Sequence, residues 1–177
     1  MSRRAQTELA VLGGLSIEPM TGYALRAAIT ETLGHFWHES FGQIYPTLAA
    51  LEKAGLVERG EPGLTSGSQF AITSTGRQRL YDLLSAPIEP TPPRNALLLR
   101  LFFGRLLEPA GCRSLIAEVQ QRATRDLESY AAFRAELEHA DDPNAAYMLL
   151  TVAAGEHSAR ATLSWADEAL AILANIN

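Results

Sequence analysis

Between residues 87 and 93 the chain carries four prolines, inside the stretch "APIEPTPPRN" of residues 86–95. Proline has no backbone N–H, and its ring collides with the preceding helical turn, so no helix or ladder runs through such a stretch. Whatever this chain folds into, it folds on either side of residue 90. At 177 residues it is long enough for two small domains, each with its own core. The expected organisation is one domain over residues 1–86, a Pro-rich linker over 87–94 and a second domain over 95–177.

The first half reads as three helices, a hairpin and a fourth helix. Leu9, Val11 and Leu12 place a helix near residues 5–14. Thr21 caps a second over about 22–34, where Leu25, Ile29 and Leu33 recur every fourth residue. The third begins in "FWHESFGQIYPTLAALEKAGLVER", residues 36–59. Ser40 followed three positions on by Gln43 matches a capping box, Leu48, Leu51 and Leu56 give the buried edge, and Gly55 stops the helix. Pro46 falls about a turn and a half inside, so an irregular or late first turn is expected. "LVER" and "SQFAI" read as two strands joined by the turn formers of "GEPGLTSG", and Thr73 caps a last helix. Three helices followed by a two-stranded wing is the order of a winged helix-turn-helix. The N-terminal residues of its second helix enter the major groove, which leaves Gln43, Tyr45 and Thr47 to meet phosphates or base edges.

The second half is helical throughout. Residues 95–107 are apolar nearly all round, as in a helix buried on several sides. Two long helices follow, over roughly 110–138 and 144–174, joined by "HADDPN". In the last, Leu149, Val152, Ala159, Leu163, Ala166, Leu170 and Leu173 fall on one stripe that only Glu156 breaks. So long a seam exceeds what a domain of this size needs internally, and the expected use is a homodimer interface through Leu149, Val152, Leu163, Leu170 and Leu173. The bland alternative is the seam of a plain intramolecular hairpin. The fold class expected is therefore mainly α: an N-terminal winged helix-turn-helix domain plus a C-terminal antiparallel α-helical dimerisation domain.

Bulk properties exclude several classes. No apolar run approaches the ~18 residues of a membrane span, and the opening "MSRRAQTELAVLGGLSIEPM" lacks the long apolar core and cleavage site of a signal peptide, so it reads as mature sequence. The single cysteine, Cys112, forms no internal disulfide and reads as a small buried hydrophobe in a reducing cytoplasm. Net charge is −5, with seven Lys+Arg against eight Asp+Glu in residues 1–86 and eight against twelve thereafter. That balance does not by itself announce a nucleic-acid partner.

The motif does. "PMTGYALRAAI", the 36–59 stretch and "FAITSTGRQRL" resemble the PadR family of bacterial transcriptional regulators. The matching residues are Gly22 and Tyr23; Trp37, Ser40, Gly42, Ile44, Tyr45, Pro46, Leu48, Leu51, Glu52, Gly55 and Leu56; and Ile72, Thr73 and Gly76. With Trp165 near the end of the helical half, the resemblance covers roughly residues 8–175. It implies a dimeric winged helix-turn-helix repressor of a nearby operon, bound to pseudo-palindromic double-stranded DNA in the bacterial cytoplasm and nucleoid. Tyr23 and Tyr45 look like phosphate-contacting tyrosines, with Ser40, Gln43 and Thr47 at the start of the recognition helix. Two departures stand out. Phe70 occupies the place of the family's wing tyrosine, and no Lys or Arg lies between Glu61 and Phe70. Cationic contact is then left to Arg3, Arg4, Lys53, Arg59, Arg77 and Arg79.

Other readings weigh less. Trp37, just before the cap, more often staples a core than touches a ligand. His35 and His38 are three apart, but without a supporting cluster they are no metal site, and no cofactor is expected. Glu156 and His157, with Trp165 two turns on, form the expected lining of an effector pocket for an aromatic or drug-like molecule at the dimer interface; a surface-facing polar pair or a helix register device is the plainer reading. No catalytic constellation stands out, so an enzyme is not expected. The competing function is a winged-helix protein–protein module without specific DNA binding.

Overall fold

The computed structural model describes residues 1–34, 37, 41–62, 67–88 and 94–176. The chain divides into two compact units, Met1–Thr91 and Pro92–Asn177. Ser40, His35 and His38 lie outside the described residues, and with them the expected capping box and histidine pair.

Unit 1 contains α1 (Arg3–Ile17), β1 (Met20–Thr21), α2 (Gly22–Leu33), α3 (Phe41–Lys53), β2 (Val57–Pro62), β3 (Ser68–Ile72) and α4 (Ser74–Ser85). Its core joins every element: Val11, Leu12 and Leu15 from α1, Leu25 and Ile29 from α2, Ile44, Leu48 and Leu51 from α3, Val57, Phe70 and Ile72 from the strands, and Leu83 from α4. The Thr21 hydroxyl accepts the Ala24 N–H, as a helix cap should. Trp37 packs on this core, as a staple would. Pro46 does not delay α3, which is helical from Phe41; the carbonyl that loses its donor belongs to the exposed Gly42, where water can replace it.

The wing has a third strand that the sequence does not announce. Met20 and Thr21 pair antiparallel with Phe70 and Gln69, giving the order β1-β3-β2. Two residues are too few to show an alternation.

Several motif residues are structural. Gly55 ends α3 with φ +70°, a left-handed turn that favours glycine. The Thr73 hydroxyl lies 2.8 Å from the Gly55 carbonyl and 3.1 Å from that of Leu56, and accepts the Gly76 N–H at 3.0 Å. It thereby ties the end of α3 to the start of α4. A Cβ at Gly76 would collide with the Leu56 carbonyl.

Unit 2 contains α5 (Ala96–Phe102), a single 3-10 turn at Gly104–Leu106, α6 (Glu108–His139) and α7 (Ala145–Ala174). The continuous helix expected over 95–107 breaks after Phe102, and its surroundings are the reverse of those expected. Leu98, Leu99, Phe102, Phe103 and Leu106 are all exposed, Leu106 by 90%. Helices α6 and α7 form a hairpin whose turn is held by Asp142, which accepts the Asn144 N–H at 2.8 Å. Two polar cross-links join the helices, Arg134 to Glu156 nearer that turn and Gln120 to Asp167 further from it on both helices, as an antiparallel pair requires. Tyr130 is buried between the helices where Gly155 leaves room for its ring.

Of the five residues expected at a dimer interface, one, Val152, is covered by the chain's own hairpin. Val152, Ala159 and Ala166 are buried within the single chain, and Val152 packs with Tyr130, Leu137 and Ala145. The stripe at these positions therefore seals the hairpin itself. Leu149, Leu163, Leu170 and Leu173 remain half-buried. The stripe was legible; which helix would cover it was not, because period alone does not distinguish an internal partner from an external one.

Candidate nucleic-acid interface

Helix α3 buries Ile44, Leu48 and Leu51 almost completely, so its opposite side must face out. Gln43 and Tyr45 are exposed and Thr47 is half-exposed, and these polar groups lie in the first two turns. Helical spacing puts Gln43 and Thr47 on one flank of the helix and Tyr45 on the other, each flank facing a cleft.

The first cleft, of about 280 Å3, lies between α2, α3 and the wing and is lined by Thr21, Gly22, Tyr23, Tyr45, Arg59 and Ser68, among others. Tyr23 is 70% exposed and Tyr45 52%. The two phenols share this cleft because Gly22 has no side chain: a Cβ there would lie 2.7 Å from Tyr45 Cε1. The G-Y pair at residues 22–23 is thus one device, with the glycine seating one tyrosine and the next residue presenting the other.

The second cleft, of about 520 Å3, lies along the other flank of α3, between it and the N-terminal half of α1. Arg3, Arg4, Glu8, Gln43, Pro46 and Thr47 are among its lining residues.

Charge is distributed less simply than the sequence indicates. Arg59 donates to both Glu52 carboxylate oxygens at 2.9 Å, and its guanidinium lies 4.8 Å from the centre of the Phe70 ring. Hydrogen bonding from Arg59 holds the Glu52 carboxyl below its usual range. Arg79 donates to Glu8 at 2.7 and 3.3 Å, which raises its own already high pKa. These two arginines therefore carry charge that is already answered. Lys53 and Arg77 are exposed, in the last turn of α3 and the first of α4, and line neither cleft.

The expected effector residues do not converge. Glu156 is buried, and its carboxylate accepts from Arg134 at 2.8 and 3.1 Å and from Arg160 at 3.2 Å. Hydrogen bonding from Arg134 chiefly keeps it well ionised, against the opposing effect of burial. His157 points to solvent and Trp165 is half-buried. At about 100° per residue, positions 156 and 165 fall on opposite faces of α7. Glu156 is a cross-link of the hairpin. Among the described residues no cluster of His, Cys, Asp and Glu could hold a metal ion.

Residues 11–82 match the Transcriptional regulator PadR-like family, and residues 93–174 match Virulence activator alpha C-term. The negative transcriptional regulator PadR of Bacillus subtilis is 27% identical over 175 residues, covering 93% of this chain and 95% of that protein. The chain is thus similar to PadR over nearly its whole length, with a PadR-like domain in its first unit. A probable transcriptional regulator of Mycobacterium tuberculosis is 30% identical over 87 residues; that match spans 48% of this chain and 46% of the relative. In structure, Bacillus subtilis PadR in complex with operator DNA aligns over 94% of this chain and 98% of its own, with a TM-score of 0.80 and 22% identity. The same protein has been solved with p-coumaric acid, at a TM-score of 0.79 and 22% identity over 95% of this chain and 98% of that one. The Vibrio cholerae virulence activator AphA aligns over 94% of this chain and 97% of its own, at a TM-score of 0.74 and 24% identity. The mainly α architecture, winged helix followed by helical domain, is that of these PadR-type structures.

Proposed function

We propose that this PadR-like chain is a homodimeric, sequence-specific DNA-binding repressor of the bacterial cytoplasm, acting on a neighbouring operon and released by a small-molecule effector. The observation that carries the reading is the pair of outward flanks of α3. A helix whose inner side is fully committed to the core presents Gln43 and Thr47 to one cleft and Tyr45 to the other, with Tyr23 beside Tyr45. A major groove admits one helix, and polar side chains with exposed N–H groups at its start suit phosphates and base edges. The operator-bound relative from Bacillus subtilis supports the same reading.

The dimer is supported by apolar surface that one chain leaves open: Phe102, 83% exposed, with Leu106, Tyr147 and Leu150. Patches of long apolar side chains are uncommon on lone soluble proteins and mark contact surfaces. A symmetric pair would set two recognition helices about one helical turn of DNA, ~34 Å, apart or a small multiple of it. The effector reading rests on the relative solved with p-coumaric acid, and an aromatic or drug-like ligand is the class to screen.

The test is retention of fragments of the source genome, including the gene's own upstream region, at graded salt and with Tyr45→Ala as control. Selective retention of one promoter fragment, weakened by the substitution and by salt, is the expected result. Indifference to duplex DNA at low salt would replace the regulator with a winged-helix protein–protein module.

A further inference from the structure

We infer that Arg3 and Arg4, at the start of α1, are the principal phosphate clamp of this DNA site and take over the role that the wing cannot perform. The inference rests on the DNA-binding reading above and assigns its cationic contacts.

It follows from finding each positive charge of the first 86 residues, which hold seven Lys+Arg. Arg59 and Arg79 are committed to Glu52 and Glu8. Arg26 is half-buried within α2. Lys53 ends α3, ten residues and therefore about 15 Å along the axis from Gln43; there its charge faces the negative end of the helix dipole, an ordinary stabilising position. Arg77 lines neither cleft beside the recognition helix. Arg3 and Arg4 do line one, on the same wall system as Gln43 and Thr47. The wing offers no substitute, since its sequence between Glu61 and Phe70 has no Lys or Arg.

Two features set these arginines apart from ordinary surface charge. Cations at a helix N-terminus oppose the helix dipole, and acidic residues are favoured there. The first turn of α1 has two arginines and no acid. Fold stability therefore does not explain them, whereas a bound anion does. The second feature is Glu8, the one carboxylate among the described residues lining the cleft. Arg79 binds it in bidentate fashion. The pairing cancels the charge that would repel a phosphate and leaves Arg3 and Arg4 to set the local potential. The occupant is thus a phosphate of the DNA backbone flanking the groove that α3 enters. The contact is independent of base sequence.

The experiment compares the full chain with Arg3→Ala/Arg4→Ala and with Lys53→Ala/Arg77→Ala. Each is titrated with a short random-sequence duplex over a salt series, with thermal unfolding of each variant alongside. Each phosphate contact adds about 0.9 to the slope of log K against log salt. The Arg3/Arg4 double variant is expected to flatten that slope by roughly two per half-site, to bind more weakly on every sequence, and to unfold no earlier than wild type. The Lys53/Arg77 variant is expected to keep the wild-type slope. An unchanged slope in the Arg3/Arg4 variant, or a loss that follows Lys53/Arg77 instead, overturns the clamp while leaving the regulator intact. A wild-type protein without salt-dependent duplex binding removes both.

Discussion

The two units of this chain use apolar residues in opposite ways. In the first, the large apolar side chains from four helices and three strands converge on one core, and Leu12, Leu15, Leu25, Ile44 and Leu48 are sealed in it. In the second, Ile116, Tyr130, Leu137 and Val152 are buried among small residues such as Ala123, Ala159 and Ala166, while Phe102, Phe103, Leu106 and Leu150 face outward. The first unit closes one core around these side chains, although Ile17, Leu84 and Ile88 stay exposed on it. The division matches a reader of DNA joined to a device for pairing two readers.

The contrast is broken most sharply in the first core. Leu48 is 1% exposed on the inner side of α3, and Leu48→Ala should cost about 2–5 kcal/mol. Thermal unfolding followed at several protein concentrations should show a drop in the first unit's transition that does not depend on concentration. A shift that varied with concentration would mean that this unit too relies on a partner.

The matching change in the second unit is Phe102→Ser with Leu106→Ser. Each side chain is exposed in the single chain, so its loss leaves the folded protomer largely intact. Each is expected to contribute about 1.5–3 kcal/mol if covered on association. Sedimentation should show the dimer weakened by well over tenfold, with helix content preserved. Unchanged association would move the interface to the half-buried stripe of Leu149, Leu163, Leu170 and Leu173.

How far the sequence reached follows the same division. The helices of the first unit, their Thr21 and Thr73 caps and the glycine stop at Gly55 were readable because each rests on contacts within a few residues. Met20–Thr21 was not readable as a strand, since it exists only by pairing with Phe70 and Gln69 far along the chain. For the site, the exposure of Gln43 and Tyr45 followed from α3's buried edge, but the neutralisation of Arg59 and Arg79 did not. Their partners lie seven and 71 residues away. The cross-linking role of Glu156 was open to reading: it sits opposite Trp165 on any regular helix, and an acidic residue interrupting an apolar stripe needs a cation from the facing helix, here Arg134.

A finer separation concerns Tyr45, which serves both core and surface. Its ring lies against Gly22 while its side chain is half exposed. Tyr45→Phe keeps the ring and removes the phenol. If the hydroxyl donates to a phosphate, a hydrogen bond to a charged group worth about 1.5–3 kcal/mol is lost, roughly tenfold or more in affinity, without loss of thermal stability. Gel-shift titration alongside thermal unfolding reads both. Full affinity in Tyr45→Phe with a loss only in Tyr45→Ala would make the ring's packing, and not its hydroxyl, the functional element.

The smallest effect tests the cross-link that holds the second unit's hairpin in register. Glu156 has its pKa lowered in the folded chain, first by the hydrogen bonds from Arg134 and then, against burial, by the charges of Arg134 and Arg160. A carboxyl with a lowered folded pKa contributes stability that is complete above its unfolded value of about 4.3 and is lost as pH falls through the lowered value. Wild-type stability should therefore decline on acidification into that window. Glu156→Gln should be less stable at neutral pH, because it leaves the Arg134 guanidinium with only the more distant Glu138, at 3.9 Å, as counter-charge. It should also decline less on acidification, so that the two proteins converge at low pH. Unfolding of both proteins as a function of pH gives the comparison. Parallel curves would place the acid sensitivity of this unit in other carboxylates and reduce Glu156 to a packing residue, leaving Gln120 and Asp167 as the polar pair that fixes the register.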